Sequence, residues 1–132
     1  LYKLFFVDSG LMCAMMLNGI QAQVLSGDID VNEGALTENY VAGEFAKHGI
    51  SLNYYDRKSK HELDFIFPEM NKISIVEVKS GKDYKQHASL DMAHSLFADK
   101  INRRIVMSGN NLEIEDGCIY LPFYMSMFLG GE

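Results

Sequence analysis

Two short apolar segments joined by a turn constrain the fold of this chain more than any other feature. Residues 62–67 and 72–79 alternate in the manner of β-strands, and residues 68–71 between them have the sequence Pro-Glu-Met-Asn. Proline and asparagine favour turns, so the segment predicts an antiparallel hairpin with a four-residue connection. In the simplest register Phe67 and Lys72 flank the turn.

This register brings charged residues together at the open end of the hairpin. It places Asp64 opposite Ile75, and directly opposite residues share a face of the sheet. Because side chains alternate along a strand, Glu77 and Lys79 lie on the face of Ile75 as well. A slip of one residue would move Asp64 to the other face and separate the group.

Two neighbouring carboxylates in apolar strands require a compensating charge. A divalent cation supplies one, and hard oxygen ligands suit Mg²⁺ or Mn²⁺. The alternative is an ordinary ion-pair cluster, in which Lys79 neutralises Glu77 or Asp64 without any metal. The hairpin pattern by itself leaves both interpretations open.

The remaining patterns predict an α/β domain with a mixed central sheet flanked by helices. The chain has 132 residues, enough for a single domain. An extended or strand segment at 4–7 precedes helices at 10–17 and 35–48, with a loop at 20–33 between them. Strands at 52–55, 62–67 and 72–79, a helix at 84–99, strands at 104–108 and 118–121, and an apolar last helix complete the predicted order.

Two cysteines, Cys13 and Cys118, are too few for a disulfide framework. They predict a reducing compartment and a cytoplasmic location. The longest apolar stretch, residues 10–17, is too short to span a bilayer, so no membrane association is expected.

Charge is distributed unevenly along the chain. Twelve basic and 18 acidic residues give a net charge of −6, which excludes a uniformly basic nucleic-acid coat. Residues 57–104 contain ten basic and seven acidic residues, a net charge of +3, and the remainder carries −9. The positive segment surrounds the hairpin, as a phosphate-binding face requires. A stretch of this length can also reach +3 by chance.

The spacing of the charged residues resembles the PD-(D/E)XK nuclease superfamily. Asp64, then twelve residues, then Glu77-Val78-Lys79 matches an acid on one strand and Glu-x-Lys on the next. Leu63 stands where the name-giving proline would be. The predicted order of elements also resembles the core of restriction endonucleases and Holliday-junction resolvases, so the resemblance implies a restriction-endonuclease-like fold.

A wider set of motifs resembles a C-terminal domain of unknown function found in bacterial and archaeal AAA-type ATPases. The motifs are FVDSGL at 6–11, GALTENYV at 34–41, ELDF at 62–65, VEVKSG at 76–81 and YLP at 120–122. The resemblance implies one domain over 1–132, with a helical lead-in at 1–33 and a nuclease-like core at 34–132. It also implies an N-terminal ATPase domain of the same protein as partner. No phosphate-binding G-x-x-x-x-G-K-[ST] motif occurs here, so this chain is not expected to bind ATP.

The nuclease resemblance also assigns roles to individual residues. Asp64, Glu77 and the carbonyl of Val78 would hold Mg²⁺ or Mn²⁺, and Glu38 would reach the ion directly or through water. Lys79 would orient the nucleophile or stabilise the charge of the transition state. Glu38 equally suits a solvated helix position in which it pairs with a nearby cation. Glu44 is a weaker candidate for the helix carboxylate. Gln86 and Lys85 lie where some nucleases place a polar residue that meets the phosphate, and His61 and His87 are candidates for lining the site. Each of the four also suits a plain surface position.

Two function classes follow from this reading. The first is a metal-dependent nuclease that acts on DNA or RNA as an accessory to the ATPase. The second is a non-catalytic module that regulates or targets the ATPase by binding protein or nucleic acid. The apolar terminal helices leave packing against the ATPase or against a second copy open.

Overall fold

The computed structural model of the chain describes residues 2–16, 26, 33–57 and 61–129. Three α-helices and six strands lie in these segments, followed by a short 3₁₀ helix. The helices are α1 (Ser9–Met16), α2 (Glu33–Lys47) and α3 (Ala88–Phe97), and the 3₁₀ helix is Phe123–Phe128. The strands are β1 (Asn53–Arg57), β2 (His61–Glu69), β3 (Lys72–Lys79), β4 (Ile101–Ser108), β5 (Glu113–Glu115) and β6 (Cys118–Pro122).

The six strands form one mixed sheet in the order β1-β2-β3-β4-β6-β5. Antiparallel pairs join β1 to β2, β2 to β3 and β5 to β6, while β3, β4 and β6 run parallel to one another. Parallel neighbours need a crossover connection, and α3 supplies it between β3 and β4. The α/β class with a mixed, helix-flanked sheet is therefore confirmed.

The sheet is covered on both faces, and each face has its own apolar core. On one face Phe45 of α2 packs with Phe65, Val76 and Met107. On the other face Leu90 of α3 packs with a second set of buried side chains, among them Leu63, Ile75, Val106 and Tyr120. Adjacent residues Ile75 and Val76 thus serve opposite cores, as alternation along a strand requires.

Several predicted boundaries differ from the observed ones. The predicted helix at 84–99 begins only at Ala88, because residues 82–85 form a turn. The strand predicted at 104–108 begins at Ile101, whose buried side chain joins the α3-side core. Residues 4–7 form no strand, β5 was not predicted, and the last helix is 3₁₀. The loop predicted at 20–33 lies almost wholly outside the described residues.

The hairpin exists, but its predicted register was wrong by two residues. Lys72 pairs with Glu69 rather than Phe67, so only Met70 and Asn71 form the turn. Met70 adopts φ 54°, a left-handed conformation that two-residue hairpin turns require. Pro68 can lie within β2 because β1 pairs with β2 only as far as Ile66. The missing N–H of Pro68 therefore breaks no hydrogen bond to β1.

In the part of the chain that the structure describes, no helix combines the length and apolar character needed to cross a membrane.

Candidate active site

A β-bulge in β2 determines where Asp64 points. Leu63 and Ile66 are three residues apart, yet their β1 partners are only two residues apart. The extra residue also shows in the packing, because Leu63 joins the core beside α3 and Phe65 joins the core beside α2. Regular alternation would put those two side chains on one face, so the bulge lies at Asp64 and Phe65.

Asp64 occupies the gap where β2 and β3 separate. The last paired residues are Phe65 and Val76, and beyond them Asp64 Oδ2 accepts a hydrogen bond from the Val78 N–H at 2.8 Å. The side chain thus replaces a bond of the sheet ladder. Because the N–H and C=O of a strand residue point towards the same neighbour, the carbonyl of Val78 is directed to this gap as well.

The other carboxylate oxygen of Asp64 belongs to a cluster around Lys3. The Lys3 ammonium lies 2.7 Å from Glu38 Oε1, 2.5 Å from Glu62 Oε1 and 3.4 Å from Asp64 Oδ1. Only 20% of the Lys3 side chain is exposed. The structure thus brings Glu38 of α2 next to Asp64, and a lysine bridges them.

Lys3 reaches the cluster from the N-terminal strap, which we define as residues 2–8. The strap is fixed to α2 by the buried Asn39, whose side chain accepts a bond from the Phe6 N–H at 2.7 Å and donates one to the Phe6 carbonyl at 3.2 Å. Phe5 adds a ring contact to Phe65, with centroids 5.7 Å apart. These contacts hold Lys3 over the open end of the hairpin.

Glu77 lies on the opposite side of the gap from this cluster. Alternation places it with Ile75 on the α3 face, whereas the contacts of Asp64 reach towards α2, so the predicted common face is not observed. The bulge is the physical reason. Glu77 Oε1 forms an ion pair with Lys79 Nζ, which lies 2.7 Å away. Oε2 of Glu77 is buried and has no hydrogen-bond partner among the described residues.

Burial dominates the protonation of these carboxyl groups. It raises the pKa of Asp64, and the Val78 N–H and Lys3 only partly oppose this effect. Burial also raises the pKa of Glu38 and of Glu77, and the charge of Asp64 adds to both shifts. Asp64 is therefore electrostatically coupled to Glu38 on one side and to Glu77 on the other.

The ammonium of Lys3 shows the opposite balance. Its burial favours the neutral form, but hydrogen bonds to Glu38 and Glu62 and the charge of Asp64 outweigh this effect and raise the pKa of Lys3. Lys3 is therefore protonated at neutral pH, whereas burial raises the pKa of its partners Glu38 and Asp64.

A cleft of about 260 Å³ opens beside the Glu77–Lys79 pair. Its lining residues are Lys79, Gly81, Lys82, Asp83, Tyr84 and Gln86. Two lysines, a glutamine and the backbone of a glycine are groups that contact phosphate oxygens well. Gln86, one of the residues predicted to meet phosphate, therefore lines the same cleft as Lys79.

Among the remaining predicted residues, His87 is close enough to Glu77 to act on it electrostatically. Glu44 pairs with Lys47 at 2.6 Å along α2, and Lys85 bridges two carboxylates of β5. His87 is buried and its Nε2 lies 2.8 Å from the hydroxyl of Tyr120. His61 is half-buried at the start of β2.

The nuclease resemblance implies a divalent cation. The donor atoms at the gap are of the type that such a cation binds. The carboxylates and the Val78 carbonyl are hard oxygen ligands, and the orphaned Glu77 Oε2 is a buried acceptor with capacity to spare. Within the described ranges, however, no three His, Cys, Asp or Glu side chains lie together in a way that could hold an ion. Lys3 takes up the oxygens of Glu38 and Asp64 instead.

Sequence reasoning missed Lys3 and Glu62. Lys3 lies 61 residues from Asp64 along the chain, so only the tertiary fold brings them together. One signal was present: Lys3 and Lys47 are the only basic residues outside the positive segment 57–104, and Lys3 stands in an apolar run. A charged side chain in such a run needs a buried partner.

Comparison with known proteins gives a match to a family model. No curated protein and no solved structure matches the chain. A family model described as a domain of unknown function, DUF4143, matches residues 33–125, which include α2, the hairpin and the carboxylates of the gap. Domains of this family often occur in AAA-type ATPase proteins. The match covers more than half of the chain, and the chain therefore belongs to the DUF4143 family.

Proposed function

We propose that this domain is a metal-dependent nuclease that hydrolyses phosphodiesters of DNA or RNA, as an accessory to an AAA-type ATPase. The observation that carries the proposal is the buried Glu77 Oε2, which has no partner within the described chain and lies beside the Asp64 gap. An orphaned buried carboxylate oxygen is costly, and a bound cation would remove that cost.

The chain offers the donors for such an ion on both sides of the gap. Asp64, Glu77 and the carbonyl of Val78 would hold it, with Glu38 reaching it directly or through water. When bound, Mg²⁺ or Mn²⁺ supplies Lewis-acid polarisation of the phosphoryl oxygen and lowers the pKa of a bound water. The hydrogen bond from Val78 to Asp64 orients that carboxylate before any ligand arrives.

Lys79 connects the gap to the phosphate-binding cleft. It is held by Glu77 at 2.7 Å and lines the cleft together with Lys82 and Gln86. An ammonium in this position donates hydrogen bonds to a phosphoryl oxygen as negative charge develops there. Lys82 and Gln86 extend the contact to the neighbouring phosphate.

Cleavage of labelled single-stranded, duplex and branched DNA and of RNA, in Mg²⁺ or Mn²⁺, tests the proposal. We expect Asp64→Asn and Lys79→Met each to lower the cleavage rate by at least about 100-fold, the scale of losing one transition-state contact. Asparagine keeps an acceptor for the Val78 N–H, so the fold should persist. Glu69→Gln, at the turn end of the same hairpin, is the matched control and should retain cleavage. Activity that survives both site variants, or no cleavage of any substrate, would overturn the proposal.

A second candidate is a non-catalytic module that binds protein or nucleic acid on behalf of the ATPase. The observation favouring it is the Lys3 cluster, which satisfies Glu38 and Asp64 without a metal. On this alternative Asp64→Asn and Lys79→Met would leave partner binding intact, and no variant would cleave. The same set of variants, assayed for binding as well as cleavage, separates the two.

A further inference from the structure

Another cleft, of about 360 Å³, lies at the carboxyl ends of β4 and β6. We define it as the aromatic pocket by its lining, which is Tyr40, residues 108–111 and residues 122–124. Its volume falls within the range of about 300–1,000 Å³ that is typical of small-molecule sites in proteins. None of the eight described residues that line it carries a charge, and three of them are aromatic.

The three aromatic rings come from two elements that pack together. Tyr40 belongs to α2, and Phe123 and Tyr124 begin the 3₁₀ helix that follows β6. Tyr40 and Phe123 are partly buried against the core on the α2 face, so packing fixes their positions. Tyr124 is 61% exposed and lies at the rim. A flat group that enters the pocket would therefore meet rings that the fold already holds in place.

Two asparagines supply hydrogen-bonding groups at the same opening. Asn110 and Asn111 are exposed in the loop after β4, and each side-chain amide can both donate and accept. The Asn110 N–H donates to the buried Ser108 Oγ at 3.2 Å, which ties the loop to the end of the strand. Proteins bind unpaired bases with aromatic rings that stack on them and with polar side chains that hydrogen-bond to their edges.

The register of the sheet puts the aromatic pocket close to the cleft beside Lys79. Lys79 pairs with Ser108, and Ser108 pairs with Pro122, so the three residues form one row across the carboxyl ends of β3, β4 and β6. Neighbouring strands are about 4.8 Å apart, so the backbone of Pro122 lies about 10 Å from that of Lys79. The cleft beside Lys79 contains two lysines, whereas the aromatic pocket is uncharged. This division matches a nucleotide, which joins a charged phosphate to an uncharged planar base.

We propose that the aromatic pocket binds one unpaired base of a nucleic acid whose adjacent phosphate lies at Lys79. The inference rests on the proposed function and specifies its substrate class. A base that is paired and stacked in a duplex cannot enter a pocket of side chains, so the substrate is unpaired at this position, as in a single strand, a loop or a branch. Continuous duplex does not engage the pocket.

Fluorescence anisotropy of a short labelled single strand, in EDTA so that no cleavage interferes, tests the pocket. We expect the single strand to bind at least about tenfold more tightly than the same sequence in a duplex, and Tyr124→Leu to weaken its binding about tenfold, the scale of one lost base–aromatic contact. Phe97→Leu removes an exposed ring at the other end of β4, where α3 leads into that strand, and is the matched control. It should leave the affinity unchanged.

Removal of single bases from the strand identifies the contact directly. In the wild type, one abasic position should weaken binding about as much as Tyr124→Leu does, because both changes remove the same stacking contact. Combining the two changes should therefore cause no further loss, since the effects of groups in contact are not additive. Additive losses would place the base away from Tyr124 and would overturn the inference.

A fluorescence measurement guards against a folding defect in Tyr124→Leu. The chain contains no tryptophan, so Tyr124→Trp introduces a single reporter at the rim of the pocket. Tryptophan keeps an aromatic face for stacking, so this variant should bind the single strand as tightly as the wild type does. Its emission should change when the intact strand binds, and emission that ignores a saturating strand would overturn the inference.

The outcomes separate this inference from the proposed function. Binding that is insensitive to Tyr124→Leu and to every abasic position, together with cleavage in Mg²⁺, overturns the base pocket and leaves the nuclease. Coupled losses in EDTA without cleavage of any substrate support the pocket and overturn the nuclease. Competition by free nucleosides as strong as that by the strand would assign the pocket to a free ligand and overturn its link to Lys79. Absence of binding to any nucleic acid overturns both.

Discussion

The two ends of the β2–β3 hairpin hold their carboxylates in opposite ways. At the turn end, Glu69 accepts hydrogen bonds from Ser74, from Asn102 at 2.8 Å and from Arg103 at 2.8 Å. Burial favours protonation of Glu69, but these three donors outweigh it and lower its pKa. At the open end, burial prevails and raises the pKa of Asp64 and Glu77.

The carboxylate at the turn end therefore stabilises the fold, whereas the carboxylates at the open end lower its stability. Glu69 links β2, β3 and β4, because its carboxylate accepts a hydrogen bond from each of its three partners. Glu77 keeps a buried oxygen without a partner in the described structure, at the end where a bulge interrupts the alternation of β2. Local inconsistency of this kind, inside an otherwise consistent fold, is typical of functional sites.

The largest change in stability is expected from a substitution at the turn end of the hairpin. Glu69→Ala should lower the free energy of unfolding by about 2 kcal/mol, because it leaves the buried hydroxyl of Ser74 without an acceptor and removes the ion pair with the half-buried Arg103. Urea denaturation measures the change. Glu113→Ala, which removes an exposed carboxylate paired with Lys85, is the control and should change stability by no more than about 0.5 kcal/mol. A loss at Glu69 as small as the control's would contradict the contrast.

A smaller effect of opposite sign is expected at the open end. Glu77→Gln should raise the free energy of unfolding of the metal-free protein by about 1 kcal/mol at pH 7, since it removes a buried charge that Lys79 only partly compensates. Its side chain is only 9% exposed, so solvent screens it little. Thermal unfolding without divalent ions provides the measurement. A destabilised Glu77→Gln would show that the Lys79 pair stabilises the fold, and would remove the cost attributed to the open end.

The smallest expected effect is the pH dependence of stability. Asp64, Glu38 and Glu77 have raised pKa values in the fold, so their contribution to stability is full below their unfolded pKa and is lost as pH rises through the folded pKa. Stability should therefore increase on acidification from pH 7 towards about pH 5.

At lower pH the turn end should change the stability in the opposite direction. The pKa of Glu69 is lowered, so its contribution is present above its unfolded pKa and is lost as pH falls further, below about pH 4. Glu77→Gln should flatten the gain on acidification, and Glu69→Gln should flatten the later loss. Urea titrations across this range test both, and equal curves for the two variants would refute the assignment.

Local pattern was sufficient to predict the strands of the hairpin. Alternation predicted the bounds of β3 as observed, residues 72–79. Helical spacing predicts Leu90, Ala93 and Phe97 on one side of α3, and of these Leu90 and Ala93 are buried whereas Phe97 is exposed. The helix α2 was predicted within two residues at each end. Such features depend on neighbours in the chain, which a sequence displays directly.

The features that the sequence did not reveal depend on tertiary packing. Met70 in a left-handed turn has no sequence signal, because that conformation usually attracts glycine or asparagine, and the register was wrong for that reason. The bulge at Asp64 became apparent only through the two cores that Leu63 and Phe65 serve. Asp64, Glu77, Lys79, Val78 and Glu38 stay predictions as metal or catalytic residues.

The N-terminal strap also makes the open end of the hairpin responsive to mechanical load. Lys3 and Phe6 are attached three residues apart, so a pull on the chain ahead of the strap would act first on the Lys3 ion pairs and only afterwards on the Phe6–Asn39 bonds. The first attachment would rupture before the second carries tension. Release of Lys3 would therefore come first, while the Phe6–Asn39 bonds still hold the strap to α2.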